Sequence, residues 1–587
     1  MTRNPGSPDL DNDIHRGYRS LARLALRGWP LIVFLVAVVV YGITLARTFT
    51  WSHDGADGGD LIAAAVCLGV PHPSGYPTYV LLARLFLRVL PLGEPAVRVH
   101  WLSALSAAAA VMLLGLSIAE SLQPGRWSAE ERKERKGKKP SALSASSADQ
   151  GRGRRGEKER GSAPCPPVTL SPCLDSRWLT GVAAASAALI LAFSPLLWSQ
   201  ATIAEVHALN VAFVAAVFRL LLRWRARGSP WLVVTAAFLY GLGLGNHLTG
   251  LLLLPAVIFW LLTYRRRTNL AGRAWLGGAG GFLMGWAVYV YLPLAAARQP
   301  LINWGDPRTW GRFWWLVTGQ LYREAIFGVP LSLIPGRLSA WGHLLLEQFG
   351  WWGWALAFTG VWRLSRRDCA ALGVSLFAFV AYSAYALGYD RADSYVYLLP
   401  ACLMVAFWLG QGLATLLEAA WQWAQEAITP RASLVVSLLV AVSLIALLPL
   451  LPLVGNFAAH DLRHDREAAD YAAAALAAAV PEALIVTSGD RATFALWYRH
   501  CALAERPDVT IVNGSLWGFD WYRRTLAAHH PAVALPGGEG TSPDLPELIQ
   551  ANLRQRSVYV TEEARQAVGD YRLEPAGPLY RLQPHEG

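Results

Sequence analysis

The chain has 587 residues, of which 54% are hydrophobic and only 16% charged, and it carries 26 Trp. Soluble domains hold roughly 25% charged residues, so this composition excludes an ordinary water-soluble globule and indicates a multi-span membrane protein with one soluble appendage. The net charge of +11 comes from Lys and Arg in loops beside apolar runs, the positive-inside pattern, and argues against nucleic-acid binding.

Arg16, Arg19, Arg23 and Arg27 precede the first apolar run, 30–46. No small-residue cleavage site follows, so this run reads as a retained first helix with a cytoplasmic tail, 1–28. The next stretch, Asp54–Pro77, is then external. Residues 78–92 carry Arg84 and Arg88 on one helix face, which suits a helix lying at the membrane interface. A second span, 97–118, returns the chain inside and completes a unit 29–123. Residues 124–177 are rich in Lys, Arg, Glu and Ser. They bury too little apolar surface to fold alone and read as a disordered cytoplasmic loop.

Further spans are expected at 178–198, 206–222, 230–245, 248–264, 276–294, 349–362, 370–387, 397–417 and 434–454, within a core of 178–454. The total is about eleven. Every basic cluster between spans then falls on one side. The polar clusters Asp54/Asp57/Asp60, Glu205/His207/Asn210, Asn246/His247, Asn303/Asp306 and Asp390/Asp393 fall on the other. Ionisable groups near a bilayer are costly and usually functional.

The tail, 455–587, changes composition. ALIVTSGD, DVTIVNGSL and SVYVTEE read as strands separated by helices, a small α/β domain outside the membrane. Ser488-Gly489-Asp490 ends the first strand, where such sheets often bind ligands, but the bare motif reads more simply as a strand-to-helix turn.

The cysteines (Cys67, Cys165, Cys173, Cys369, Cys402 and Cys501) show neither CxxC nor Cys/His ligand spacing, so no zinc site or disulfide framework is indicated. No GK[ST] motif supplies an ATP-driven engine, and HExxH is absent. The glycines of GLGLGNHLTG lie in an apolar span and suit close helix packing. External carboxylates fit transfer of a group from a lipid carrier to a hydroxyl, with one carboxylate taking the hydroxyl proton. The leaving phosphate needs cationic or hydrogen-bonding partners, for which His247, Arg298, Arg323 and Arg391 are candidates. External Trp and Tyr suit either sugar stacking or interfacial anchoring. Asp60 is also placed to cap the following helix, and Asp306 to form a turn.

DGGDLIAAAVCLGVPHPSGYP (Asp57–Pro77) resembles the signature of the domain-of-unknown-function 2723 family, glycosyltransferase family 117, whose vertebrate member resembles a protein O-mannosyltransferase. FSPLLWSQATIAEVHALN (193–210), GLGNHLTGLLLLP (243–255), YLPL with LINWGDP (291–307), DRADSYVYLLP (390–400) and the tail motifs SGDRATFALWY, RPDVTIVN and WYRR extend the resemblance. It implies a GT-C-like polytopic α-helical membrane protein with a small extracytoplasmic α/β C-terminal domain, 455–587, sited in a bacterial plasma membrane. The implied reaction moves a sugar, mannose in the vertebrate case, from a polyprenyl-phosphate donor to an acceptor hydroxyl on a protein or glycan.

The resemblance implies Asp57 as base, with Asp60 beside it. Combined with the polar clusters, it nominates His72, Tyr76, Glu205, His207, Asn246, His247, Arg298, Asn303, Trp304, Asp306, Tyr322 and Asp390 as substrate contacts. The family pattern has an Arg close after YLPL; here the sequence reads YLPLAAARQP, and Arg298 takes that role in a shifted register. No cofactor is indicated, and a divalent metal is left open. The competing expectation is a lipid-linked-sugar flippase or transporter, whose polar groups would lie at mid-span in discontinuous helices.

Overall fold

The computed structural model describes residues 28–123, 172–264, 272–427, 430–536, 544–569 and 571–583. The N-terminal tail, expected above to be cytoplasmic, and most of the basic loop, 124–171, lie outside these residues. Each apolar stretch anticipated above is helical. Among the described residues, five helices are long and apolar enough to cross a membrane: Pro95–Leu122, Val206–Arg227, Ala274–Ala296, Cys369–Gly388 and Ala392–Ala427. Trp178–Ala192 and Pro195–Ala201 make a sixth if counted together, but they are bent by 67° at their junction. Shorter apolar helices include Gly28–Thr44, Pro230–Leu244, Leu248–Tyr264 and Leu447–His460. The chain is a multi-pass helical membrane protein.

Prolines start many of these helices. Pro77, Pro95, Pro195 and Pro230 occupy first-turn positions, where the missing N–H has no helical partner to lose. Asp368 caps Cys369–Gly388 by accepting from the Ala371 N–H at 3.1 Å and pairs with Arg225 at the end of Val206–Arg227. Arg363 makes a two-bonded pair with Glu418 at 2.7 and 2.8 Å. Such pairs tie the basic ends of the spans together. Leu31, Leu35, Leu276, Leu283, Phe358 and Leu447 stay exposed on the outer faces, as contact with lipid requires. The amphipathic helix Pro77–Val89 likewise leaves Leu81, Leu85 and Val89 exposed.

At the other end of the spans, the loops and the tail pack together. The tail forms a five-stranded sheet in the order β2-β1-β3-β5-β4. The strands are β1 Leu484–Thr487, β2 Thr510–Asn513, β3 Val558–Thr561, β4 Arg572–Ala576 and β5 Leu579–Gln583. β1 runs parallel to β2 and β3, with Leu484 opposite Thr510 and Val558, while β5 is antiparallel to β3 and β4. The first three strands are fully buried and were legible as apolar runs. The β4–β5 hairpin was not anticipated: β4 is mostly exposed and lacks an apolar signature.

Two cores result. One joins the spans through residues such as Tyr41, Trp198, Trp260 and Phe407. The other joins Leu61, Tyr79, Leu292 and Trp304 of the loop face to Ile485, Phe494 and Val560 of the tail domain. The loop face and the sheet are thus one packed body, and the polar clusters lie where the two cores meet.

Candidate active site

The helix Gly58–Cys67 begins directly after Asp57, and neither Asp57 nor Asp60 caps it. Asp60 is instead turned inward, with no exposed surface. Its Oδ2 accepts the His72 backbone N–H at 2.9 Å and lies 2.8 Å from His72 Nδ1. Its Oδ1 accepts the Trp304 indole N–H at 3.2 Å. The His72 loop is fixed further by the Tyr76 hydroxyl, which donates to the Pro73 carbonyl at 3.0 Å. Gly75 adopts φ +82°, and an added Cβ would press on Leu292 and Leu316; a side chain there is disfavoured on both counts.

The Ile302–Trp304 segment docks on this loop as a short parallel bridge. Val70 N–H donates to the Ile302 carbonyl at 2.8 Å, and Trp304 N–H to the Val70 carbonyl at 3.0 Å. INWGDP therefore delivers the Trp304 indole to Asp60.

His72 stands between two carboxylates. Its Nε2 lies 3.4 Å from Asp57 Oδ2. Burial alone would lower the imidazole; Asp57 and the hydrogen-bonded Asp60 outweigh it and hold His72 up at about 9. Asp57 differs from Asp60 in keeping 42% of its side-chain surface open. Its carboxylate is open on one face yet surrounded by the protein on the others. Desolvation there raises its pKa, His72 pulls it down, and Asp393, Asp60 and Asp54 raise it again. A carboxylate raised in this way is a stronger base than a free one.

A second tier surrounds this pair. Tyr76 meets the His72 ring edge-on at 5.0 Å and lies 5.9 Å from the His247 ring. His247, His207 and Tyr397 form a ring cluster with centroids 5.5 to 5.6 Å apart. Burial lowers His247 to about 4, with the nearby His72 adding to the effect, so it is neutral at pH 7. His247 Nδ1 accepts the Thr249 N–H at 3.2 Å and starts the following helix. Asn246 Nδ2 donates to the Val206 carbonyl at 3.0 Å. Among the described residues, Glu205 Oε1, Asn246 Oδ1 and Asn303 Oδ1 are buried with no hydrogen-bond partner. Glu205 is raised by burial and by the Asp57 charge. Tyr322 is also raised, first by burial and then by the Asp57 and Asp490 charges.

Other nominated residues are engaged elsewhere. Asp306 accepts from Arg308 at 2.6 and 2.8 Å and from Arg312 at 2.9 Å. Arg312 continues to Asp520 of the tail domain at 2.8 Å. Asp390 pairs with Arg337 at 3.3 Å. Arg298 is exposed, and none of the described ion pairs includes it. Asp54 accepts the Tyr395 hydroxyl at 2.8 Å. No three His, Cys, Asp or Glu side chains among the described residues gather closely enough to hold a metal ion.

The tail domain contributes residues that the sequence reading passed over. Phe494 stacks on His72 at 6.1 Å between centroids and meets Trp304 at 6.3 Å. Asp490, at the start of the same helix, feels Asp57, His72 and Asp60. The SGD motif was the available signal, but its bearing on the cleft comes only from how the domain docks.

Comparison with known proteins bears on the same residues. The profile of the protein O-mannosyl-transferase TMEM260 N-terminal domain matches residues 57–271. This stretch of the chain is similar to that domain. Asp57 is the first matched residue of that domain, and a second profile, TMEM260-associated domain 2, matches residues 468–532 of the tail. The protein O-mannosyl-transferase TMEM260 of Mus musculus is 26% identical over 95% of this chain, which spans 75% of the mouse protein. The corresponding protein of Dictyostelium discoideum is 20% identical over 90% of the chain, which spans 63% of it. Among solved structures, ArnT from Cupriavidus metallidurans bound to undecaprenyl phosphate superposes with a TM-score of 0.55 at 14% identity, covering 94% of this chain and 98% of ArnT. Its apo state gives 0.53, also at 14% identity, covering 95% and 98%. The likeness is one of fold, and it runs along nearly the whole of both chains.

Proposed function

We propose that this protein is a membrane glycosyltransferase that moves a sugar, mannose by analogy with its named relatives, from a polyprenyl-phosphate donor to a Ser or Thr hydroxyl of a protein. The observation that carries the reading is the open Asp57 carboxylate, raised by burial and braced by His72, at the head of the matched domain. The relatives named as O-mannosyl-transferases support the acceptor class. The fold shared with a protein solved with undecaprenyl phosphate supports the donor class.

In this reading Asp57 takes the proton of the acceptor hydroxyl as its oxygen attacks the anomeric carbon. The bond from that carbon to the phosphate oxygen breaks on the opposite face. The polyprenyl phosphate leaves, and the configuration inverts. The His72 imidazolium keeps Asp57 ionised when the cleft is dry. Tyr76, Tyr322, Glu205, Asn246 and Asn303 bind the sugar or phosphate in this reading, three of them offering buried oxygens without a partner among the described residues. The site faces the extracytoplasmic side of a bacterial plasma membrane, with the N-terminus in the cytoplasm. Transport is disfavoured because Asp57, His72 and Glu205 lie in loops and at helix starts, not at mid-span.

The test is transfer of radiolabel from a polyprenyl-phosphate mannose to a Ser/Thr peptide by the purified protein. Transfer by the parent and its loss in Asp57→Asn are expected. An inactive parent across a panel of donors, or a fully active variant, would overturn the reading.

A further inference from the structure

The tail domain could serve only to cover the loop face, but its contact with the cleft is closer than a cover needs. The helix Asp490–Trp497 lies on the helix Gly58–Cys67. A Cβ at Gly59 would sit 2.3 Å from the Phe494 carbonyl oxygen, so only glycine permits this approach. The docking is pinned beside Asp490 as well. The Trp51 indole N–H donates to the Arg491 carbonyl at 3.1 Å, and the Arg491 guanidinium covers the Trp51 ring at 4.6 Å. Asp490, Phe494 and Trp497 are spaced i, i+4 and i+7 and share one helix face. Phe494 stacks on His72 and Trp497 meets Trp304 at 6.3 Å, so Asp490 sits on the face turned to the Asp57–His72 pair.

Asp490 is exposed and makes no hydrogen bond or ion pair among the described residues. Burial of its surroundings and the Asp57 charge push it up to about 6, while His72 and Arg391 pull it down. It is thus an exposed carboxylate with no side-chain partner among the described residues, within electrostatic reach of the Asp57–His72 pair. It belongs to the tail domain, which packs into the loop-face core and holds none of the span-forming apolar helices found among the described residues. A lipid-linked donor enters from the bilayer, so a group on this domain meets the water-borne substrate.

We propose that the tail domain completes the transferase site, with Asp490 binding the acceptor by accepting a hydrogen bond from its hydroxyl or from a peptide N–H beside it. This inference rests on the transferase reading above, and its test separates the two. Steady-state transfer by the full-length chain is measured for the parent, Asp490→Asn and Asp490→Glu, varying peptide and donor lipid in turn. Glu547→Gln, on an exposed face of the tail domain, is the control.

The expected result for Asp490→Asn is a rise in the acceptor KM of roughly 10- to 100-fold, the range for losing a charged hydrogen bond. The donor KM and kcat stay near the parent values, and Asp490→Glu recovers part of the acceptor affinity. An unchanged acceptor KM, or a change confined to the donor KM, would overturn the assignment while leaving the transferase reading intact. A parent that transfers nothing would overturn both.

Discussion

Two acidic clusters join the loop face to the tail domain, and they spend their acceptors differently. Asp306, with 4% of its side chain exposed, is saturated by Arg308 and Arg312, and Arg312 carries the contact on to Asp520. Asp60 is equally saturated by His72 and Trp304. Asp57 alone has one long contact, at 3.4 Å, and an open face. An acidic residue whose oxygens are already taken fixes geometry. One held in the same low-dielectric surroundings with oxygens to spare is able to take a proton from substrate.

The largest effect should come from the open carboxylate. Asp57→Asn is expected to lower transfer by roughly 10²- to 10⁴-fold, the usual worth of a general base, with no loss of thermal stability. A variant that lost stability as well would place Asp57 with Asp306 as a structural residue.

His72→Gln sharpens the contrast from the other side. It removes the cation from a buried pair and leaves Asp60 poorly compensated, at a cost of about 3–5 kcal/mol of stability, to be read from denaturant unfolding. The same group gives the parent a pH-dependent stability. His72 is at about 9 in the fold against 6.5 unfolded, so the folded state binds its proton more tightly. That contribution is complete below pH 6.5 and is lost as the pH rises through 9. Melting temperatures that stay flat across this window would contradict the bridged geometry.

Asp306→Ala should be the mildest of the three. It frees two partly exposed guanidinium groups and costs about 1–3 kcal/mol of stability, while the transfer rate per folded molecule stays near that of the parent. A collapse of transfer without loss of stability would move Asp306 into the binding site.

Much of this arrangement was legible in the sequence. The apolar stretches and the three buried strands announce themselves by composition, because burial on all sides leaves few polar residues to confuse the pattern. Asp57 and Asp60 were visible as a pair, with Asp57 as the expected base, but the partners that hold Asp60 were not. The pairing of Asp60 with His72 spans 12 residues and its bond to Trp304 spans 244, so neither follows from helix spacing. Asp306 read as a turn residue or a substrate contact, although its partners Arg308 and Arg312 follow in the same short segment. Asp490 read as an ordinary strand-to-helix turn, since what distinguishes it is the close approach at Gly59. Tertiary docking, not local pattern, decides which carboxylates are spent.

The central claim is that His72, held by the saturated Asp60, sets the ionisation of an Asp57 that acts as base. The pH dependence of kcat/KM for sugar transfer, measured side by side for the parent and His72→Gln, tests it most directly. Asp57 is raised by burial and lowered by His72, and it must be deprotonated to act. The parent should therefore lose activity on acidification at a pH above the ordinary carboxylate range, and the variant at a higher pH still. An acid limb at the usual carboxylate position, or one that does not move when His72 is replaced, would contradict the account.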